Sequence, residues 1–298
     1  MEDKPFDTIL LPNLMTYEKI RLNWQNKYHE PNSSTLKKQI TSLLGKHSGN
    51  KTCEKILKSG FTNYITTNYD HAIENTFLAM HEAHSILNSE KESGVSEKNY
   101  STRRCTFLNK KNSIVGKVWH IHGDIDHPNS IMLGFNHYVG YVAKVDSYLK
   151  GEYASTSNPN ITREKIQKIE KKIAENKYDN LSWIELFFNT DVHIVGFSFD
   201  FYEIDLWNIL TKRARLQSSS KPRNKIFYYT KPIEQVAKDK QSKETNEREI
   251  QLETNKREML KKLGVKIIEV KLNKKECGGY DYEQQWDEFI KTMQKDSV

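Results

Sequence analysis

Three short segments hold most of the side chains able to do chemistry. The first is Thr66-Thr67-Asn68-Tyr69-Asp70, which follows the β-type run FTNYI. An asparagine amide offers donor and acceptor together, so Asn68 can hold a water or a hydroxyl-bearing substrate. Asp70 equally suits the N-cap of a following helix, whose first amides need acceptors. The segment therefore also reads as a plain capped turn.

The second segment is Trp119-His120-Ile121-His122-Gly123-Asp124. On a strand, His120 and His122 share one face. Gly123 permits a sharp exit, leaving His122 at the strand end and exposed to a ligand. Three chemistries fit. The pair, with Asp124, Asp126 and His127 nearby, could ligate a metal. His122 could be a general base, because imidazole titrates near neutral pH. Both rings could simply be packed and hydrogen-bonded. Metal sites usually draw ligands from several elements, and no second HxH or HxxxH pattern occurs.

The third segment is His193-Ile194-Val195-Gly196-Phe197-Ser198-Phe199, with Asp205 further on. Gly196 allows close backbone approach and Ser198 offers a hydroxyl, which suits a phosphate or ribose contact or an ordinary loop. The second glycine of a G-x-S-x-G nucleophile elbow is missing.

Strand-like runs at Asp7–Leu11, Tyr64–Thr67, Lys117–Ile121, Ile131–Gly134, Val192–Gly196, Lys225–Tyr229 and Val265–Val270 position these segments. Helix-length stretches such as Asp70–His84, Phe201–Leu216 and Pro232–Lys262 lie between most of them. The alternation predicts an α/β, Rossmann-like fold, with a mostly parallel sheet and helices on both faces. Such sheets bind ligands beyond the carboxyl ends of their strands, where all three segments stand. One domain over residues 1–298 is expected. Residues 89–103 read as an exposed loop, about 150–188 as a helical insertion, and Lys231–Lys262 as a largely exposed helix laced with salt bridges.

Composition narrows the classes. The chain has 298 residues, 36% hydrophobic and 11% aromatic, which is polar but too aromatic for a disordered chain. No apolar run is long enough for a transmembrane helix. The acidic start, without a long apolar stretch, does not resemble a secretory signal. Cys53, Cys105 and Cys277 are far apart, giving neither a zinc knuckle nor a disulfide framework. A cytoplasmic setting is the simplest reading. The net charge is +7, and Thr211–Lys225 holds six basic residues and no acid. That stretch reads as a solvated helix end, with a nucleic-acid or phosphate patch as the alternative.

Together, TTNYD, an HG about fifty residues later and an apolar strand ending in GFS resemble the sirtuin-like (Sir2-like) NAD-consuming domains of prokaryotic antiphage defence. The resemblance implies an NAD+ hydrolase that cleaves the nicotinamide–ribose bond, with NAD+ as substrate and no metal needed. It implies catalytic roles for Asn68 and His122, and an NAD pocket lined by Thr66, Thr67, Asp70, Gly123, Gly196 and Ser198. A homo-oligomer or a partner protein of a defence system is also implied. Lysine deacylation is not, because the four-cysteine zinc module of deacetylating sirtuins is missing. The family pattern opens on a Gly-Ala-Gly-type phosphate loop, whereas here FDTILLPNLMT places Pro12-Asn13 there and no glycine precedes Gly45. Either the phosphates are held otherwise, for instance by Lys212–Lys225, or NAD binding is weak or lost. In the latter case the chain would be a silent subunit, sensor or scaffold in a larger complex.

Overall fold

A computed structural model describes residues 37–38, 41–42, 51–88, 102–152, 166–201, 203–216, 222–236, 243–273 and 282–296. The strand expected at Asp7–Leu11, and with it the question of a phosphate loop, lies outside these residues. The chain divides into two compact units, one of residues 1–49, 62–169 and 200–208 and one of residues 50–61, 170–199 and 209–298.

The first unit is built on a four-stranded mixed sheet. Its strands are β1 (Asn63–Thr66), β2 (His84–Asn88), β3 (Thr106–Lys110) and β4 (Ser113–His120), in the order β1-β4-β3-β2. β1 runs parallel to β4, with Thr66 opposite His120. The β4-β3-β2 ladder is antiparallel. β3 and β4 are joined by Lys111-Asn112, both with positive φ, the geometry of a hairpin turn whose twist matches the strands. Gly116 lets the Tyr64 ring cross β4, since a Cβ there would lie 3.3 Å from Tyr64 Cε2. Tyr64, Leu108, Val118 and Trp119 are buried around this crossing.

Helices complete the described part of this unit, including helical residues 37–38 and 41–42. α1 (Lys51–Lys58) belongs to the second unit; here α2 (Ala72–Met80) and α3 (Phe135–Lys150) follow. α3 buries Tyr141, Val145, Tyr148 and Leu149, one helical face, and ends on Gly151 in the left-handed conformation.

Ile131–Gly134 is not a strand. Pro128 opens a single 3-10 turn (Pro128–Ser130), and Ile131 and Met132 then run as buried irregular chain. Their apolar character reflects core packing, and Met132 N–H donates to the His122 carbonyl rather than to a ladder. The expected exposed loop 89–103 is described only at Thr102 and Arg103. Both are buried, because the chain is already entering the sheet at β3.

The second unit carries a parallel sheet of β5 (Val192–Ile194), β6 (Ile226–Thr230) and β7 (Val265–Glu269), in sequence order. β6 is buried along Ile226–Tyr229, as a central parallel strand should be. Besides α1, its described helices are α4 (Ile169–Glu175), α5 (Trp183–Asn189), α6 (Ile204–Arg215), α7 (Lys243–Lys262) and α8 (Tyr282–Asp296); α4 and α6 begin within the first unit. Phe227, Tyr229, Val270, Phe289 and Met293 form a core, with Trp286 and Ile290 packed on it.

Within the described part of the stretch expected as a helical insertion, α4 and α5 are separated by a break. Asn176 and Asn180 have positive φ, and Ser182 Oγ accepts the Ile184 amide to start α5. Buried Lys172 bridges the break by pairing with Glu185 and, at 2.5 Å, with Asp179. α7 is largely exposed and carries the ion pairs Lys243–Glu247, Lys256–Glu253 and Arg257–Glu253. Its later turns bury Lys256, Arg257 and Leu260, where Arg257 binds Glu253, Glu269 and the Lys231 carbonyl. Among the described residues no helix is long and apolar enough to cross a membrane.

Candidate functional site

Because β1 and β4 are parallel neighbours, the segments leaving their carboxyl ends run side by side. Ile121 N–H donates to Thr66 O (3.0 Å), and Ile125 N–H donates to Tyr69 O (3.0 Å). The TTNYD and HIHGD segments are thereby held together, more than fifty positions apart in sequence. Within the first, Thr66 Oγ1 accepts the Asn68 amide at 3.0 Å, folding the chain so that Asn68 is exposed. Asp70 Oδ1 accepts the Ala72 amide at 3.0 Å, so it serves the start of α2 although His71 occupies the N-cap position. Thr67 is half-buried between them.

The two histidines diverge in environment. His120 closes β4, and its side chain is 5% exposed. Its Nδ1 lies 2.9 Å from the Asn68 carbonyl oxygen and its Nε2 lies 2.8 Å from Glu74 Oε1 of α2. His122 stands two residues further, beyond the strand. It is 3% exposed, so the expectation of a histidine open to ligand is corrected: side chains of α3 and of the start of α6 close over it. Tyr138 and Tyr141 meet its ring edge to face.

His122 Nε2 lies 3.1 Å from Asp205 Oδ2 and 3.7 Å from Glu203 Oε2. A carboxylate accepts, so Nε2 carries the proton and Nδ1 is the basic nitrogen. Nδ1 faces the Tyr138 hydroxyl at a long 3.4 Å. Burial opposes a charge on His122, but the Asp205 carboxylate, aided by Glu203, outweighs it and raises the imidazole above its ordinary value. Burial also pushes Glu203 up to about 7, with Asp205 and Asp200 adding to the rise against the pull of His122. Asp205 Oδ1 and Glu203 Oε2 have no hydrogen-bond partner among the described residues.

Gly123 makes this placement possible. Its φ is +100°, and a Cβ there would fall 2.4 Å from the Ser130 carbonyl oxygen. Asp124 then ties the turn: its carboxylate accepts the amides of Asp126 (2.9 Å) and His127 (3.2 Å), and the His127 ring (3.0 Å). Burial disfavours its charge, yet hydrogen bonds from His127 and His71 hold the carboxyl well below the usual range.

Among the described residues, three groups bring possible metal-ligating atoms within 4.8 Å: His71, Glu74 and His120; His71, Asp124 and Asp126; and His122, Glu203 and Asp205. In the first, both ring nitrogens of His120 already serve hydrogen bonds. The proximity of His120 and His122 in sequence does not make one ligand pair, since each ring has its own carboxylate.

Gly196 and Ser198 belong to the second unit. Gly196 has φ +66°, and a Cβ there would approach Trp286 to 3.0 Å. The Ser198 carbonyl accepts from Tyr228 Oη (3.2 Å) and Lys256 Nζ (2.5 Å), while the residue itself stays exposed. In the basic stretch Arg215, Arg223 and Lys225 are exposed, whereas Arg213 donates to the Phe187 carbonyl (2.7 Å), to Asn224 Oδ1 (2.6 Å) and to the Asn224 carbonyl. Lys212 pairs with Glu170 at 2.5 Å.

Sequence reasoning placed no role on Glu74, Tyr138 or Glu203. The one available signal is position: Glu203 and Asp205 follow GFSF at the mouth of α6, and Glu74 lies one helical turn after Asp70.

An α/β protein with an asparagine loop and a carboxylate-bound histidine at the ends of two parallel strands is the class these features define. The chain matches the SIR2-like domain over residues 62–256 and belongs to that family, which relates it to NAD-using enzymes. No curated protein matches it significantly.

Proposed function

We propose that the protein is an NAD+ glycohydrolase of the NAD-depleting kind found in antiphage defence. The observation that carries this reading is the buried His122–Asp205 pair beside the loop that presents Asn68. Nicotinamide in NAD+ is cationic, so it departs without a general acid through an oxocarbenium-like ribose, as in glycoside cleavage. The electrons of the glycosidic bond pass to the ring nitrogen of nicotinamide. Water supplies the new bond to the ribose carbon and loses one proton.

Asn68 orients that water and the ribose hydroxyls through its amide. His122 takes the proton at Nδ1, by way of the Tyr138 hydroxyl, which can accept one proton while giving its own. Asp205 fixes the tautomer and stabilises the resulting imidazolium. Thr66, Thr67, Asp70 and Gly123 shape the loops around the ribose. None of these steps calls on a metal, and the active form is a homo-oligomer or a complex with a defence partner.

The test is release of free nicotinamide from NAD+ by the purified chain, alone and with the products of neighbouring genes. Turnover that disappears in Asp205→Ala, with circular dichroism unchanged, supports the reading. Absence of turnover in every combination overturns it.

A further inference from the structure

We propose that His120 is a positioning residue, a buried imidazolium that clamps the Asn68 loop to α2. Its relevance to catalysis rests on the hydrolase reading above; the clamp itself does not. The two groups facing the ring are a main-chain carbonyl, Asn68 O at 2.9 Å from Nδ1, and a carboxylate, Glu74 Oε1 at 2.8 Å from Nε2. Both only accept, so both ring nitrogens must donate, and a neutral imidazole would set a lone pair against an oxygen.

Charge and burial agree with that assignment. Glu74 is fully buried. Burial disfavours its charge, but the hydrogen bond and charge of His120, with His71, hold its carboxyl below the usual range. The other groups facing His120 are His71, with ring centroids 5.2 Å apart, and Asp124 in the turn after β4. Burial opposes the charge on His120, yet Glu74, the Asn68 carbonyl and Asp124 together push it up to about 9.

The clamp acts on one place. The 66–70 segment is a half-buried excursion between β1 and α2, and Asn68 is its exposed member. Its described ties are the Thr66 Oγ1 turn, the Ile121 and Ile125 amides, Asp70 to Ala72, the Tyr69 hydroxyl on Met132 O and the His120 ring. The His120 tie alone is a charge-assisted bond to the peptide of Asn68 itself. Loss of the proton from His120 therefore frees the asparagine without unfolding the sheet.

Three measurements on the full chain decide the matter. First, side-chain NMR of the wild type should show two ring N–H protons on His120 at pH 7, and titration near pH 9; one proton and titration near 6.5 overturns the proposal. Second, amide exchange over residues 66–70 should quicken about tenfold or more in His120→Phe, with β3 and β4 protected as before; unchanged exchange overturns it.

Third, wild-type nicotinamide release should fall as pH rises through about 9. In Glu74→Gln a neutral ring satisfies both partners, donating to Asn68 O and accepting from the new amide, so the alkaline fall should vanish. His120→Phe should lower kcat about 100-fold, the scale of a small misplacement, with a smaller change in KM. A Glu74→Gln profile with the wild-type alkaline fall contradicts the clamp. Wild type without turnover at any pH defeats the hydrolase reading instead, and the NMR and exchange results still judge the clamp.

Discussion

His122 Nε2 and Asp205 Oδ2 lie 3.1 Å apart although 83 residues separate them, and both side chains are buried. The pairing assigns the ring its tautomer and leaves Nδ1 as the basic atom. Replacing Asp205 by Asn keeps the volume but removes the charge that favours the imidazolium. Nicotinamide release should drop about 100-fold, within the usual range for losing general-base assistance. Circular dichroism should stay as in the wild type.

The same pair sets the acid side of the pH profile. His122 is held above its ordinary value by Asp205 and Glu203 against burial, and only its neutral form accepts a proton. The rate should therefore climb with pH through a range above 6.5. In Asp205→Asn, with the raising charge gone, this limb should move to lower pH. A limb that does not move would mean that another group titrates.

Tyr138 supplies the hydroxyl facing Nδ1. Tyr138→Phe retains the ring that packs on His122 and removes only the relay. We expect a fall in kcat of about tenfold or more, with KM nearly constant, measured by steady-state nicotinamide release.

Gly123 has a φ of +100° and no room for a Cβ beside the Ser130 carbonyl. Gly123→Ala should destabilise the chain by about 2 kcal/mol or more, read from urea unfolding. Loss of activity in that variant should track loss of fold.

Arg213 is committed to the Phe187 and Asn224 carbonyls and to Asn224 Oδ1. Arg213→Ala should cost about 1.5–3 kcal/mol of stability, the scale of bonds to a charged group. NAD+ turnover per folded molecule should stay unchanged. A large rise in KM with stability intact would instead point to a phosphate contact.

The parts legible in the sequence are those written locally. The β1, β5, β6 and β7 runs announce themselves by apolar character and punctuation, and the TTNYD and HG segments fall where parallel strands end. Lys117–Ile121 marks the second half of β4, but β2, β3 and the start of β4 carry no such signal. The β3-β4 turn is Lys111-Asn112 rather than a glycine-bearing pair, and the expected helix Asp70–His84 runs up to the first residue of β2. Ile131–Met132 misleads for the opposite reason, as an apolar run buried without a strand. The carboxylates that define the histidines, Glu74 and Asp205, come from distant chain segments, and no local pattern ties them to their partners.

The most direct test of the account is nicotinamide release from NAD+ by the wild type, compared with Asn68→Ala and His122→Ala at equal folded concentration. The wild type should release nicotinamide and neither variant should, with unfolding curves showing that both variants fold. Release by His122→Ala at the wild-type rate would contradict it.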